Sequence, residues 1–230
     1  MRKERPPGKP PLHIGHRGAA GHAPENTLAS IRTAIGFGVD FVEVDLQRSR
    51  DGRVVIIHDQ TLDRTTNGKG KVAARSLAEL QALDAGKGKR IPTLEELLEL
   101  AEGRVGLMLE VKEAGIAELT ARIVRQSRFS GPLIYASFLH KELLVVRSAD
   151  PTAATLALFG RLPKDPVAAA TRVGASHVGL RFTTATAQRV SALHRAGFQV
   201  FVYTVNEPRD IQAMRRLGVD GIISDYPDRL

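Results

Sequence analysis

From Leu12 onward, short β-type apolar runs alternate with longer segments in which apolar residues recur every three or four positions. The short runs fall at 12–15, 41–45, 54–57, 105–111, 133–137, 154–158, 177–181, 199–204 and 220–224. Between them the spacing predicts helices near 115–127, 139–148, 165–173, 185–196 and 208–217. An earlier helix opens at Pro24-Glu25-Asn26-Thr27, where Asn26 or Thr27 can cap, and runs through Leu28, Ile31 and Ile35 to Gly36 or Gly38. Another starts at Pro92-Thr93-Leu94-Glu95-Glu96, where a Thr followed by Glu three residues on is a capping box.

One piece breaks the alternation. Only Gln47 to Arg53 separates Phe41-Val42-Glu43-Val44-Asp45 from Val54-Val55-Ile56-Ile57, and that connector holds Asp51-Gly52. A parallel crossover needs about a dozen residues, whereas Asp-Gly turns an antiparallel hairpin. Val54 to Ile57 is therefore expected to be a returning arm outside the main sheet, bringing His58 back beside Glu43 and Asp45. With the arm set aside, about eight parallel strands remain, the number that closes a (β/α)₈ barrel of α/β class. Residues 1–11 read as a loose, basic, Pro-rich tail, 12–230 as one barrel domain, and 59–92 as a small polar insertion with a short helix at Ser76–Leu83.

Composition narrows the classes of function. The chain has 230 residues, 43% apolar, with 33 Lys+Arg against 25 Asp+Glu, a formal net charge of +8. That charge favours anionic ligands in general, and on its own describes an ordinary basic surface. With no Cys, disulfides and thiolate chemistry are excluded. The basic N-terminus is followed by no apolar segment of the kind a secretory signal needs, and no run approaches the ~18 apolar residues of a membrane span. A cytoplasmic location is expected. Lys and Arg are spread along the chain and no nucleic-acid motif appears, so a nucleic-acid partner is not expected.

The chemistry-bearing residues stand where a barrel places active sites, at the C-terminal strand ends. His16-Arg17-Gly18 follows the first strand, Glu43-Val44-Asp45 ends the second, His58-Asp59 follows the arm, and Leu109-Glu110-Val111-Lys112 ends the third barrel strand. Residues i and i+2 of a strand share a face, so Glu43 projects with Asp45 and Glu110 with Lys112. Three crowded carboxylates imply a cation. An all-oxygen acid set favours Mg²⁺ or Ca²⁺, although the histidines could admit Zn²⁺ or Mn²⁺. Arg17 could grip a phosphate through its planar fork, Lys112 could act as a point charge, and His16 and His58 could divide proton transfer. The blander readings are a hydrogen-bonded strand-end His and a salt-bridged Glu43-Val44-Asp45 strand. The conjunction weighs against both. Elsewhere, Asp63-Arg64 reads as a loop-ordering ion pair, and His13 as packing. His22, His140, His177 and His194 read as lacking chemical company, and Asp225 and Asp228 as caps of the last strand and turn.

Taken in order, these segments resemble the glycerophosphodiester phosphodiesterases. The likeness also runs through Leu62-Asp63-Arg64-Thr65-Thr66-Asn67-Gly68, Ile91-Pro92-Thr93-Leu94-Glu95-Glu96, Ser137-Phe138, Tyr203-Thr204-Val205-Asn206 and Gly218-Val219-Asp220-Gly221-Ile222-Ile223-Ser224-Asp225, covering Leu12 to Asp228. The resemblance implies a metal-dependent phosphodiesterase barrel that hydrolyses a glycerophosphodiester to an alcohol and glycerol 3-phosphate. It implies His16 and His58 as acid and base, Glu43, Asp45 and Glu110 as ligands of one divalent cation, and Arg17 and Lys112 on the phosphate. Glu25 and Asn26 would support them from behind. It further implies attack by the neighbouring glycerol hydroxyl, giving a cyclic phosphate that water opens, with His16 as acid and His58 as base in the first step. Tyr203 stands where many members carry Trp, and Ser224 and Ser49 where Thr is frequent; Phe138 and Tyr203 are expected to line the glycerol or head-group side. Rival functions are a lysophospholipase D-like or sphingomyelinase D-like phosphodiesterase acting on lipids, and a catalytically silent phosphate-binding protein. The sequence shows no evident exposed membrane-docking segment, which favours deacylated substrates.

Overall fold

The computed structural model describes residues 10–230. The tail expected over 1–11 therefore lies, for residues 1–9, outside the described residues.

The alternation of the sequence becomes a closed ring. In chain order the elements are β1 (Leu12–Gly15), α1 (Leu28–Gly36), β2 (Phe41–Arg48), β3 (Val54–Ile56), α2 (Leu77–Gln81), α3 (Leu94–Ala101), β4 (Gly106–Val111), α4 (Ala117–Gln126), β5 (Leu133–Ser137), α5 (His140–Ala149), β6 (Ala154–Phe159), α6 (Pro166–Arg172), β7 (His177–Arg181), α7 (Ala187–Arg195), β8 (Gln199–Tyr203), α8 (Pro208–Leu217) and β9 (Gly221–Ser224). Eight of the strands run parallel in the order β1-β9-β8-β7-β6-β5-β4-β2, and β1 pairs with β2 to close the barrel. The fold is a (β/α)₈ barrel. β3 is the exception: it pairs antiparallel with the far end of β2, Leu46 opposite Ile56 and Arg48 opposite Val54. The Asp51-Gly52 turn makes this hairpin, with Gly52 at φ +79° as such turns require.

Strand patterning explains the layers. Ile14, Phe41, Met108, Ile134, Leu156, Leu158, Phe201 and Ile223 fill the barrel interior, as a packed core rather than a pore. The alternate strand residues face the helices and form two further apolar layers, one beside β2 and β4 and one beside β6 to β9. The helix ends follow the local chemistry. Thr27, not Asn26, caps α1 by accepting from the Ser30 amide, and Thr93 with Glu96 forms the expected capping box on α3. A second such box, Ser76 with Glu79, starts α2. Although polar in composition, the 59–92 segment folds around a small core of Val55, Ile57, Leu62, Val72, Leu80, Ala85 and Ile91 that it shares with the arm. No described helix is long and apolar enough to cross a membrane.

Candidate active site

Register brings the acids together. Asp45 on β2 stands directly opposite Glu110 on β4, with Glu43 one pleat earlier, so all three point into the barrel mouth. One oxygen from each lies within 4.8 Å of the others. All three side chains are buried, and Glu43 Oε1 and Asp45 Oδ1 accept no hydrogen bond. Burial, with the charges of Asp45 and Glu110 added, pushes the Glu43 carboxyl well above its usual range. Burial and then Asp45 push Glu110 up to about 7, although Lys112 pulls the other way. Buried carboxylate oxygens that repel one another and lack donors are what a divalent cation would satisfy. An all-oxygen donor set suits a hard ion.

Two cations flank the acids. Arg17 donates through its amide to Glu43 Oε2 (2.9 Å) and through Nη1 to Glu25 Oε1 (2.7 Å), while its Nε lies 3.4 Å from Asp45 Oδ2. Lys112 Nζ sits 2.8 Å from Glu110 Oε1 and 3.5 Å from Asp45 Oδ1. Burial works against the charge on both, but the surrounding carboxylates outweigh it and hold both more firmly protonated than usual. Asn26 donates to Asp45 Oδ2 (2.8 Å) and accepts from the Asp45 amide (3.2 Å), orienting that carboxylate from behind. Arg17 and Asn26 both adopt left-handed backbone, φ +50° and +58°, a conformation Asn tolerates but Arg rarely takes, held here by the surrounding bonds. Gly18, at φ +85°, lets the chain pass helix α1: a Cβ there would meet Ser30 Oγ at 2.1 Å.

Each of the two histidines is oriented by a carboxylate on Nδ1. His16 Nδ1 is 2.6 Å from Asp225 Oδ1, and Asp225 is held by Asn206 Nδ2 (2.7 Å). His58 Nδ1 is 2.6 Å from Asp59 Oδ1. Gln47, buried on β2, anchors the end of the arm by donating to the carbonyls of His58 and Asp59 (2.8 and 2.5 Å). Both imidazoles line one cleft of ≈ 410 Å³, together with Arg17, Glu43, Glu110 and Lys112. His58 Nε2 lies 3.1 Å from Lys112 Nζ, and His16 Nε2 lies 4.0 Å from Glu43 Oε2. Phe138 and Tyr203 sit across the same cleft, packed edge to face at 5.9 Å.

Several sequence expectations need correction. Arg64 does not pair with Asp63. It bridges Asp59 (2.7 Å) and Glu25 (2.7 and 2.8 Å), joining the partner of His58 to the partner of Arg17, while Asp63 faces Lys69. Asp225 is more than a cap, because it orients His16; Asp228 binds His22 at 2.6 Å. The remaining histidines do have company: His140 meets the Leu158 carbonyl, His177 meets Ser176 Oγ, and His194 meets Asp220. His13, half-buried, ties into Asp40 through its backbone amide, and burial lowers the pKa of its ring. Asp59 and Asp225 were legible in principle, since each stands at a strand or arm end as the other site residues do. Gln47 and Arg64 carried no such signal.

The chain is similar to known proteins over nearly its whole length. Residues 16–229 match the model of the glycerophosphoryl diester phosphodiesterase family. A glycerophosphodiester phosphodiesterase of Caldanaerobacter subterraneus subsp. tengcongensis is 35% identical, covering 95% of this chain and 96% of its own. A phosphodiesterase of Oleispira antarctica, solved in complex with the product sn-glycerol-3-phosphate, superposes with a TM-score of 0.90 at 33% identity, covering 96% of this chain and 95% of its own. A glycerophosphodiester phosphodiesterase from Agrobacterium tumefaciens superposes with a TM-score of 0.84 at 31% identity, covering 95% of this chain and 98% of its own.

Proposed function

The chain belongs to the glycerophosphoryl diester phosphodiesterase family, and we propose that it hydrolyses glycerophosphodiesters to an alcohol and sn-glycerol 3-phosphate, dependent on a divalent cation, with His16 and His58 as proton carriers. It would do so as one barrel domain, residues 12–230 with 59–92 inserted, in the cytoplasm. The observation that carries the reading is the shared cleft: two imidazoles, each pinned at Nδ1 by a carboxylate, beside three buried acids crowded within 4.8 Å of one another.

Glu43, Asp45 and Glu110 would hold the cation, of Mg²⁺ or Ca²⁺ type, which when bound polarises a phosphoryl oxygen and offsets the charge developing there. Arg17 spends Nη1 on Glu25 and holds Nε 3.4 Å from Asp45 without a hydrogen bond, leaving Nη2 to donate to a phosphate oxygen. Lys112 adds a point charge beside it. His58, with Asp59 on Nδ1 and Nε2 turned toward Lys112 in the cleft, is assigned as the base. His16, with Asp225 on Nδ1 and Glu43 4.0 Å from Nε2, is assigned as the acid. In the first step His58 Nε2 takes the proton of the glycerol 2-hydroxyl as its oxygen attacks phosphorus, and His16 protonates the departing alkoxide. In the second, His16 takes a proton from water attacking the cyclic phosphate, and His58 returns its proton to the glycerol oxygen. Both imidazoles end as they began.

The test is turnover of glycerophosphoinositol, followed by enzymatic detection of sn-glycerol 3-phosphate. Activity should vanish in excess EDTA and return with Mg²⁺ or Ca²⁺. Full activity in EDTA, or release of free glycerol in place of its phosphate, would refute the proposal. One observation favours a second reading, lysophospholipase D-like action: Phe138 and Leu139, at the mouth, are 40% and 42% exposed, an apolar step that an acyl chain could use. Turnover of lysophosphatidylcholine above that of glycerophosphocholine would favour it.

A further inference from the structure

The wall facing the acids carries a charge that the chemistry above does not use. Arg181 ends β7, beside Tyr203 across the β7–β8 ladder, and both line the cleft with Phe182 and Thr183. Its side chain is exposed and makes no ion pair with a carboxylate among the described residues, unlike Arg17 and Lys112. The acids lining the cleft are Glu43 and Glu110, and both belong to the opposite wall.

A quaternary ammonium head group is recognised by open aromatic faces, usually helped by an acid. The aromatic side chains here are already attended by cations. Lys112 Nζ lies 5.7 Å from the centre of the Phe138 ring, and Arg181 stands next to Tyr203, whose hydroxyl is turned away to the Phe159 carbonyl at 2.9 Å. The Arg181 charge also acts on the Tyr203 phenol, against the burial that raises the latter. A choline entering here would meet positive charge on both sides. An anionic head group would meet a planar fork that no carboxylate occupies, with donors beyond the one that reaches Tyr203 suited to a carboxylate or phosphate.

Resting on the diester hydrolysis proposed above, we infer that Arg181 is a specificity residue that selects glycerophosphodiesters whose leaving alcohol carries its own negative charge, typically a second phosphate, and rejects those bearing a quaternary ammonium. Selection has two parts: attraction to the anion, and repulsion of the cation that needs no new contact.

The test compares kcat/KM on three diesters, glycerophosphoinositol 4-phosphate, glycerophosphoinositol and glycerophosphocholine, in the full-length metal-loaded protein and in Arg181→Lys, Arg181→Gln and Arg181→Glu. The first two probes differ only in the extra phosphate. The wild type should prefer glycerophosphoinositol 4-phosphate to glycerophosphocholine by at least about tenfold, a discrimination of ~1.4 kcal/mol. Arg181→Gln should erase the preference, Arg181→Glu should invert it, and Arg181→Lys should retain part of it. Each variant's rates are divided by its own rate on glycerophosphoinositol, so a general loss of activity cannot mimic the effect. The same ratios in wild type and all three variants, or a wild type that prefers choline, would overturn the inference and leave diester hydrolysis standing. A wild type that turns over none of the three would sink both.

Discussion

The two sides of the barrel mouth are built from the same kind of strand but do opposite things. β1, β2 and β4, with the arm β3 ahead of His58, aim carboxylates, imidazoles and cations at one point. β5 to β8 offer Phe138, Leu158 and Tyr203, with Arg181 as the charge. The first side is electrostatically frustrated before any ligand arrives, since Glu43 and Glu110 are both buried and both pushed toward their neutral forms. The second side carries no such crowding of like charges. On the reading proposed above, chemistry would be concentrated where the backbone register is fixed by neighbouring strands, and selection where side chains project into open space.

If this division is right, the largest effects belong to the charged side. His16→Ala and His58→Ala should each lower kcat by about a hundredfold or more, as loss of a positioned acid or base does, in steady-state assays at saturating Mg²⁺. Either variant at near-normal kcat would free that residue from the mechanism. Arg64→Met should follow at about tenfold in kcat, because Asp59 and Glu25 lose their common clamp; its pH profile should also move, whereas a purely structural loss would leave the profile in place.

The frustration has a thermal signature of its own. Glu110 has a folded pKa of about 7 against an ordinary 4.5, so the stability linked to its protonation is full below about 4.5 and is lost as the pH climbs through 7. Without metal, the protein should therefore melt higher at pH 5.5 than at pH 7.5. Glu110→Gln should flatten this difference and raise the midpoint at pH 7.5 by roughly 2–4 °C, the shift that ~1 kcal/mol produces at this chain length. Calorimetry in EDTA reads both, and an unchanged slope would mean that Glu110 is not the strained group. The smallest effect should come from the uncrowded side: Phe138→Ala should raise KM a few-fold and leave kcat nearly alone, and a loss confined to kcat would mean that this wall takes part in the chemistry.

Much of this was legible in the sequence because two simple periods carry it. Period-two strands ending in charged residues locate the mouth, and the short Asp51-Gly52 connector reveals the arm that delivers His58. What stayed hidden depends on distance along the chain. Arg64 reads as the neighbour of Asp63 until folding brings Glu25, 39 residues away, within reach. Gln47 looks like one more strand residue, yet its amide positions the arm because β3 folds back over it. The polarity of 59–92 likewise conceals a small apolar centre, since Leu62, Val72 and Leu80 are too widely spaced to form a run.

The ring is sealed by the first and last strands, and the same seam joins His16 to Asp225, 209 residues apart. A ribosome that has released everything but the final strand has therefore made most of the residues that line the cleft, without the strand and carboxylate that complete it. Fragments ending early would lack both the strand that shelters β1 and the carboxylate that steers its imidazole, so premature termination products should be inert toward cellular phosphodiesters.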